Sequence, residues 1–233
     1  GSIMNKPAPS PPNPASATKP APSPQSPISA SKRRGILIVI SAPSGAGMTS
    51  SCRKILEMNP VLQRSVSYTT RARRTGEQDG VDYHFVTPKI FQEMVDAGAF
   101  LEWAEVHGNR YGTARNSLAK ATAGGVDILL DIDFQGAQQL RNSGLDGVYI
   151  FILPPNMNEL RKRLQSRNTD DVQVIERRLN NAVGEIAEAG KFDYLVVNDL
   201  LEDAVERISA IMSAEMARTK RMIARLPEEF GLK

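Results

Sequence analysis

The chain has 233 residues, 41% of them hydrophobic, and a formal net charge of +3. That length suits one α/β domain with an appendage, and the longest apolar run, Ile36–Ile40, is far too short to span a bilayer. A single cysteine, Cys52, excludes a disulfide framework and fits a reducing compartment, the cytoplasm.

The charge divides unevenly along the chain. Residues 1–34 carry Lys6, Lys19, Lys32, Arg33 and Arg34 with no acid, which leaves 24 basic and 26 acidic residues for the rest. The folded part therefore lacks the overall basic excess of a general nucleic-acid binder. The same 34 residues hold nine of the fifteen prolines and almost nothing large and apolar, so they are expected to form a disordered or polyproline-like tail. Gly1-Ser2 reads as a cloning remnant, and the prolines oppose an amphipathic targeting helix.

From Gly35 onward strands and helices alternate. Ile36–Ser50, ILIVISAPSGAGMTS, reads as a buried strand running into a glycine-bearing loop that opens a helix. Its spacing is that of a phosphate-binding loop, G-x-x-x-x-G-K-[ST], whose backbone N–H groups point at phosphate oxygens. Ala42, Pro43, Ser44, Gly45, Ala46, Gly47, Met48, Thr49 and Ser50 occupy that span, with Thr49 at the metal-position hydroxyl. Ala42 replaces the first glycine and Met48 replaces the lysine.

The helix over Thr49–Met58 should stop before Asn59-Pro60. Residues 64–114 break the rhythm into short strands and one helix, with Thr87 as N-cap, Pro88 at the first helical position, and Ile90, Phe91 and Met94 facing inward. Val126–Ile132 and Val148–Leu153 are further buried strands, with a helix through Ala137–Arg141 between them. Asn156-x-x-Glu159 resembles a capping box before Leu160–Ser166, and a longer helix covers Val172–Ala189. Tyr194–Val197 is the last strand, and residues 201–225 form a closing helix with Val205, Ile208 and Met212 on one face. Such alternation predicts a parallel sheet with right-handed crossovers, and a small lobe, 64–114, over its carboxyl edge.

A phosphate loop defines only a broad class. Residues 67–86, SYTTRARRTGEQDGVDYHFV, add Arg71 and Arg74 three apart, then Glu77, Gly80 and Tyr83. Guanidinium groups bind phosphate bidentately and a tyrosine hydroxyl adds a donor, so this is a second anion site. Two facing anion sites are what phosphoryl transfer to a phosphate acceptor requires. His84 and His107 have no partner at metal-ligand spacing and read as structural.

Residues 35–225 resemble guanylate kinase, and most closely its bacterial members. The resemblance rests on TTRARRTGEQDGVDYHFV (69–86), FLEWAEVHGNRYGT (100–113), VDILLDIDFQGAQQL (126–140), IFILPP (150–155) and VVND (196–199), in that order. It implies a three-layer α/β nucleoside-monophosphate kinase fold: a core of 35–66 and 115–233, a GMP-binding lobe of about 67–114 and a helical lid of about 156–182. It also implies the reaction ATP + GMP → ADP + GDP with Mg²⁺, the partners being GMP and ATP and neither nucleic acid nor membrane. By position, Arg71, Arg74, Tyr83 and Tyr111 would hold the GMP phosphate, with Glu77 in the same site. Ser67, Glu102, Thr113 and Asp131 would address guanine. A carboxylate such as Glu102 can accept the adjacent N1–H and N2–H₂ donors of guanine, a pair adenine lacks. Arg163, Arg167 and Arg178 would grip the ATP phosphates, Asn198 and Asp199 would lie on the adenine side, and Thr49 would ligate Mg²⁺. Asp131 or Asp133 could help organise the metal, helix capping being equally open for Asp133.

Methionine approximates lysine in length, so the loop should fold without its ammonium. A charge-assisted hydrogen bond contributes about 1.5–3 kcal/mol and electrostatic stabilisation is often the largest catalytic term, so turnover should fall by roughly 10²–10⁴ while GMP binding survives. Three readings stay open: a substitution that suppresses turnover and keeps shape; a variant in which Lys54 or a lid arginine supplies the cation; or a non-catalytic member that binds GMP or a protein partner.

Overall fold

The computed structural model describes residues 33–166 and 171–232. The expected tail, apart from Arg33 and Arg34, and the lid residue Arg167 lie outside the described residues.

β1 (Leu37–Ser41) is buried along its whole length, as its unbroken apolar run demands of a strand covered on both faces. Residues 42–47 lead into α1 (Met48–Met58). Pro60 cannot continue that helix, and Asn59 closes it by donating its backbone N–H and its side-chain amide to the Ile55 carbonyl, at 3.0 and 2.8 Å. β2 (Gln63–Arg64) follows. The chain then leaves the core for β3 (Tyr68–Thr69), β4 (His84–Phe85), α2 (Pro88–Asp96), β5 (Phe100–Val106) and β6 (Asn109–Ala114). It returns through α3 (Arg115–Ala123), β7 (Ile128–Asp131), α4 (Phe134–Asn142) and β8 (Val148–Leu153). The helix pair α5 (Met157–Ser166) and α6 (Val172–Ala187), then β9 (Tyr194–Val197) and α7 (Leu201–Met216), complete the main elements.

The central sheet runs β2-β7-β1-β8-β9, all parallel. Its register sets Ile40 level with both Asp131 and Ile150, so the carboxyl ends of the strands form one edge. On one face Ile38 and Ile40 pack with Ile55 of α1 and Val205, Ile208 and Met212 of α7. On the other, Leu37, Val39 and Leu130 meet Leu118 of α3 and Ala137 and Leu140 of α4. These are the three layers, and the parallel order is the one the alternation predicts. α5 and α6 have an apolar seam of their own, Leu160, Leu164, Ile175, Leu179 and Ala182.

The lobe is a second sheet, β4-β3-β6-β5, antiparallel except for β3 beside β4. Thr87 caps α2 by accepting from the Ile90 N–H at 3.2 Å, with Pro88 in the first turn. Phe91 is fully buried against Phe100, ring centres 4.6 Å apart, but Ile90 is 44% exposed rather than inward. One residue is about 100° of helix, and the small lobe covers only the Phe91 side. The closing helix also ends sooner than its periodicity suggests, at Met216 rather than 225. Glu215 accepts from the Tyr194 hydroxyl at 2.5 Å, and Lys220 and Arg221 turn back to Asp146 at 3.2 and 3.0 Å. These polar contacts fold the chain after 216 onto the amino-terminal edge of the sheet.

Candidate active site

The phosphate loop is shaped by two glycines. Gly45 and Gly47 adopt φ of 85° and 87°, a left-handed conformation that side chains resist. Neighbours forbid a side chain as well: a Cβ on Gly47 would lie 2.4 Å from Asn198 Nδ2, and one on Gly45 3.0–3.1 Å from Leu164 and Leu160 of α5. Asn198, just past the carboxyl end of β9, donates its amide to the Ala46 carbonyl at 2.9 Å and so ties the loop down. No side chain caps α1 and its first turn has no acid. Its amino-terminal N–H groups and dipole therefore present a positive end at the loop. Thr49 is exposed there.

Met48 is half-buried and packs against the apolar cluster between the sheet, α1 and α7. Lys54 lies six residues on, about 240° around the helix. Its side chain is 46% exposed and its ammonium lies 3.8 Å from Glu57.

Across the cleft, Glu102 on β5 is only 4% exposed. Thr113 on β6 donates its hydroxyl to Glu102 Oε1 at 2.5 Å. Burial pushes the Glu102 carboxyl up to about 7; the Thr113 bond works against this and the charge of Asp133 adds to it. A Cβ on Gly136 would sit 2.5 Å from Glu102 Oε2, so a side chain there would push this carboxylate aside. Ser67 is buried in the same lobe. Arg71 is clamped by Glu77, Nη2 to Oε1 at 2.7 Å and Nη1 to Oε2 at 3.1 Å, and that bond holds the Glu77 carboxyl below its usual range. Glu77 also accepts the Arg74 backbone N–H at 2.8 Å, leaving the Arg74 side chain exposed. Arg71 lies over the ring of Tyr83 at 5.3 Å, and Tyr83 meets Tyr111 edge-on at 5.9 Å. The lobe thus brings Arg71, Tyr83 and Tyr111 together, with Glu77 as the holder of Arg71.

The two aspartates at the carboxyl end of β7 separate. Asp131 is engaged bidentately by Arg64, at 3.1 and 2.9 Å, and does not join Glu102. Asp133 does: it caps α4 by accepting from the Gly136 N–H at 3.0 Å and acts electrostatically on Glu102. Burial raises the Asp133 carboxyl, against the pull of the Gly136 and Gln135 N–H groups. Sequence reasoning assigned the guanine side to Asp131 and gave Arg64 no role. The available signal was the D-x-x-G spacing of Asp133 and Gly136, a cap that fixes the first aspartate at the mouth of a helix.

On the lid, Arg163 donates Nη2 to the carbonyls of Asn198 and Asp199, at 3.0 and 3.4 Å, and its Nε lies 3.4 Å from Glu159. It is turned to the loop that follows β9. Arg178 is half-buried on α6. Arg161 pairs with Glu176 and links α5 to α6. Glu185, near the end of α6, accepts the Ser44 N–H of the phosphate loop; burial, then the charge of Asp133, raise its carboxyl to about 7.

The comparisons with known proteins agree with this geometry. The family model described as guanylate kinase matches residues 34–215. The guanylate kinase of Syntrophotalea carbinolica is 58% identical over 191 residues, 82% of this chain and 91% of that protein. The guanylate kinase of Geobacter sulfurreducens is 51% identical over 201 residues, 86% and 99% of the two chains. The crystal structure of guanylate kinase from Anaplasma phagocytophilum superposes with a TM-score of 0.70 at 37% identity, covering 85% of this chain and 93% of that one. A phosphate loop facing a buried acidic pocket, together with this likeness along nearly all of the described residues, establishes that the chain belongs to the guanylate kinase family.

Proposed function

We propose that the chain phosphorylates GMP with ATP, giving GDP and ADP in the cytoplasm, and that the lobe and the loop hold the two substrates. The observation that carries this reading is the buried Glu102 carboxylate, set with Thr113, Ser67 and Asp133 opposite the phosphate loop. Guanine offers N1–H and N2–H₂ to such a pocket; adenine would leave the carboxylate unpaired, a costly arrangement. Arg71, Arg74, Tyr83 and Tyr111 suit the GMP phosphate, and the N–H groups of residues 45–50 suit those of ATP. The Thr49 hydroxyl is a hard oxygen donor of the kind Mg²⁺ takes, and it stands exposed at the loop. Mg²⁺, when bound, neutralises charge on the donor phosphates. GMP arrives with an anionic phosphate oxygen, so attack requires no general base from the protein. The seam between α5 and α6 suits a lid that excludes water.

One observation favours a second reading, a GMP-binding module without catalysis: the Met48 side chain packs toward the core. The test is calorimetry with GMP and AMP, beside coupled turnover with ATP and Mg²⁺, on this chain and on Met48→Lys. Binding of GMP at least about 100-fold tighter than AMP is expected, with turnover rising in the lysine form. Equal affinity for both nucleotides would overturn the reading. Selective GMP binding with no turnover in either form would leave the binding module.

A further inference from the structure

Arg64 lies on the short edge strand β2, in register with Leu129, and its side chain runs forward to Asp131 at the carboxyl edge of the sheet. Nε and Nη2 each meet one carboxylate oxygen, which fixes the orientation of the fork. The two N–H groups on Nη1 have no acceptor among the described residues, and the side chain is 29% exposed.

The guanidinium lies near both halves of the cleft. On the acceptor side its Cζ lies 5.8 Å from the centre of the Tyr83 ring, the ring that Arg71 approaches at 5.3 Å. On the donor side Cys52 shares a buried cluster with Ile40, the β1 residue level with Arg64's partner Asp131. Cys52 stands four residues beyond Met48, on the same face of α1. The level of Asp131 is that of Ile40, one residue before β1 gives way to the loop. Arg64 therefore sits between the tyrosine of the acceptor site and the helix of the phosphate loop.

We propose that Arg64 is a catalytic residue of this enzyme, its Nη1 donors meeting the phosphoryl group between acceptor and donor and replacing part of what Met48 withholds. The inference rests on the kinase reading above. In the step concerned, a GMP phosphate oxygen forms a bond to the γ-phosphorus of ATP while the bond from that phosphorus to the β,γ-bridging oxygen breaks. Arg64 neither gives nor takes a proton; it stabilises the equatorial oxygens. Asp131 is a positioning residue. Because its carboxylate neutralises one side of the fork, the phosphoryl group meets two directed donors rather than a bare charge, a smaller effect than a lysine gives.

The test uses Arg64→Met and Arg64→Lys in the full chain, each with Met48 and with Met48→Lys. Readouts are turnover and calorimetric affinity for a guanosine–adenosine dinucleotide bridged by five phosphates, a ligand that spans both sites, with GMP affinity and thermal midpoint beside them. With Met48 present, Arg64→Met should lower kcat about 10- to 100-fold and dinucleotide affinity about tenfold, the size of a lost charge-assisted bond. With Met48→Lys, both losses should shrink to about threefold or less, and Arg64→Lys should recover most of the activity. The same loss in both backgrounds, shared by Arg64→Lys and tracking a drop in midpoint, would make Arg64 only a structural partner for Asp131 and overturn the proposal. No loss at all would overturn it too. If GMP binds and is turned over while Arg64 proves inert, this inference alone fails; if the unsubstituted chain does not bind GMP, the kinase reading fails and takes Arg64 with it.

Discussion

The acceptor lobe and the phosphate loop face one cleft, and they are built from different parts of the residues that form them. In the lobe the working atoms are side chains held by other side chains: Thr113 on Glu102, Glu77 on Arg71, Tyr111 against Tyr83. At the loop they are backbone N–H groups, set by two left-handed glycines and anchored by Asn198 on the Ala46 carbonyl. On the reading proposed above, a single side-chain replacement in the lobe should remove recognition itself. At the loop it removes charge and leaves the cradle standing. With methionine at 48 the loop still has its left-handed glycines and its Asn198 anchor.

Four changes probe that contrast, in descending order of expected effect. Glu102→Gln should weaken GMP binding by about 10³-fold, because an amide N–H would face the guanine donors. The same change should stabilise the free protein. The folded chain holds the Glu102 proton up to about 7, against the ordinary 4.5 of a glutamate, so ionising it costs the fold. Stability thus falls as pH rises between those values and stays lowered above them. Denaturant midpoints should show a gain of up to about 3 kcal/mol for Glu102→Gln at pH 8 and almost none at pH 4. A gain that is equal at both pH values would contradict the burial argument.

Met48→Lys should raise turnover by about 10²-fold, the lower end of the range set by charge alone because Arg64 already supplies donors, and should leave GMP affinity within about twofold. A large change in GMP affinity would mean that the two sites are not separate in construction. Third comes pH: below about 7 the Glu102 carboxyl carries a proton that must leave when guanine donates to it. GMP affinity should then fall about tenfold per pH unit toward pH 5, with proton release seen as a buffer-dependent binding enthalpy. In Glu102→Gln the GMP affinity should lose that slope, and ATP affinity should lack it in the unsubstituted chain. The smallest change is Asn198→Ala, which loosens the loop by one buried hydrogen bond and should weaken ATP binding by about tenfold or less, with GMP affinity unaltered.

Much of this could be read along the chain because the signals are local. The apolar run of β1, the glycine spacing after it and the Thr87-Pro88 cap each depend on residues a few positions apart, and each appears in the structure. The separate roles of Asp131 and Asp133 could not be read that way. They turn on Arg64, 67 positions before Asp131, in a strand of two residues with no periodicity to notice. Arg163 also occupies a matching place on its helix, yet its guanidinium goes to backbone carbonyls of residues 198 and 199, groups that no side-chain pattern advertises. Ile90 and the early end of α7 show the same limit: helical periodicity marks which residues are apolar, and tertiary cover decides which are buried.

Where a lysine would hold an ammonium out to the cleft, the thioether of Met48 rests between the phosphate loop and the apolar cluster beneath it. Its terminal methyl group, half-buried beside the loop, should rotate fast and give a sharp resonance in a methyl-labelled sample. Its chemical shift will follow nucleotide reaching the loop. If Met48 slows turnover as proposed above, magnetic resonance on that methyl should follow donor-site occupancy with both substrates present.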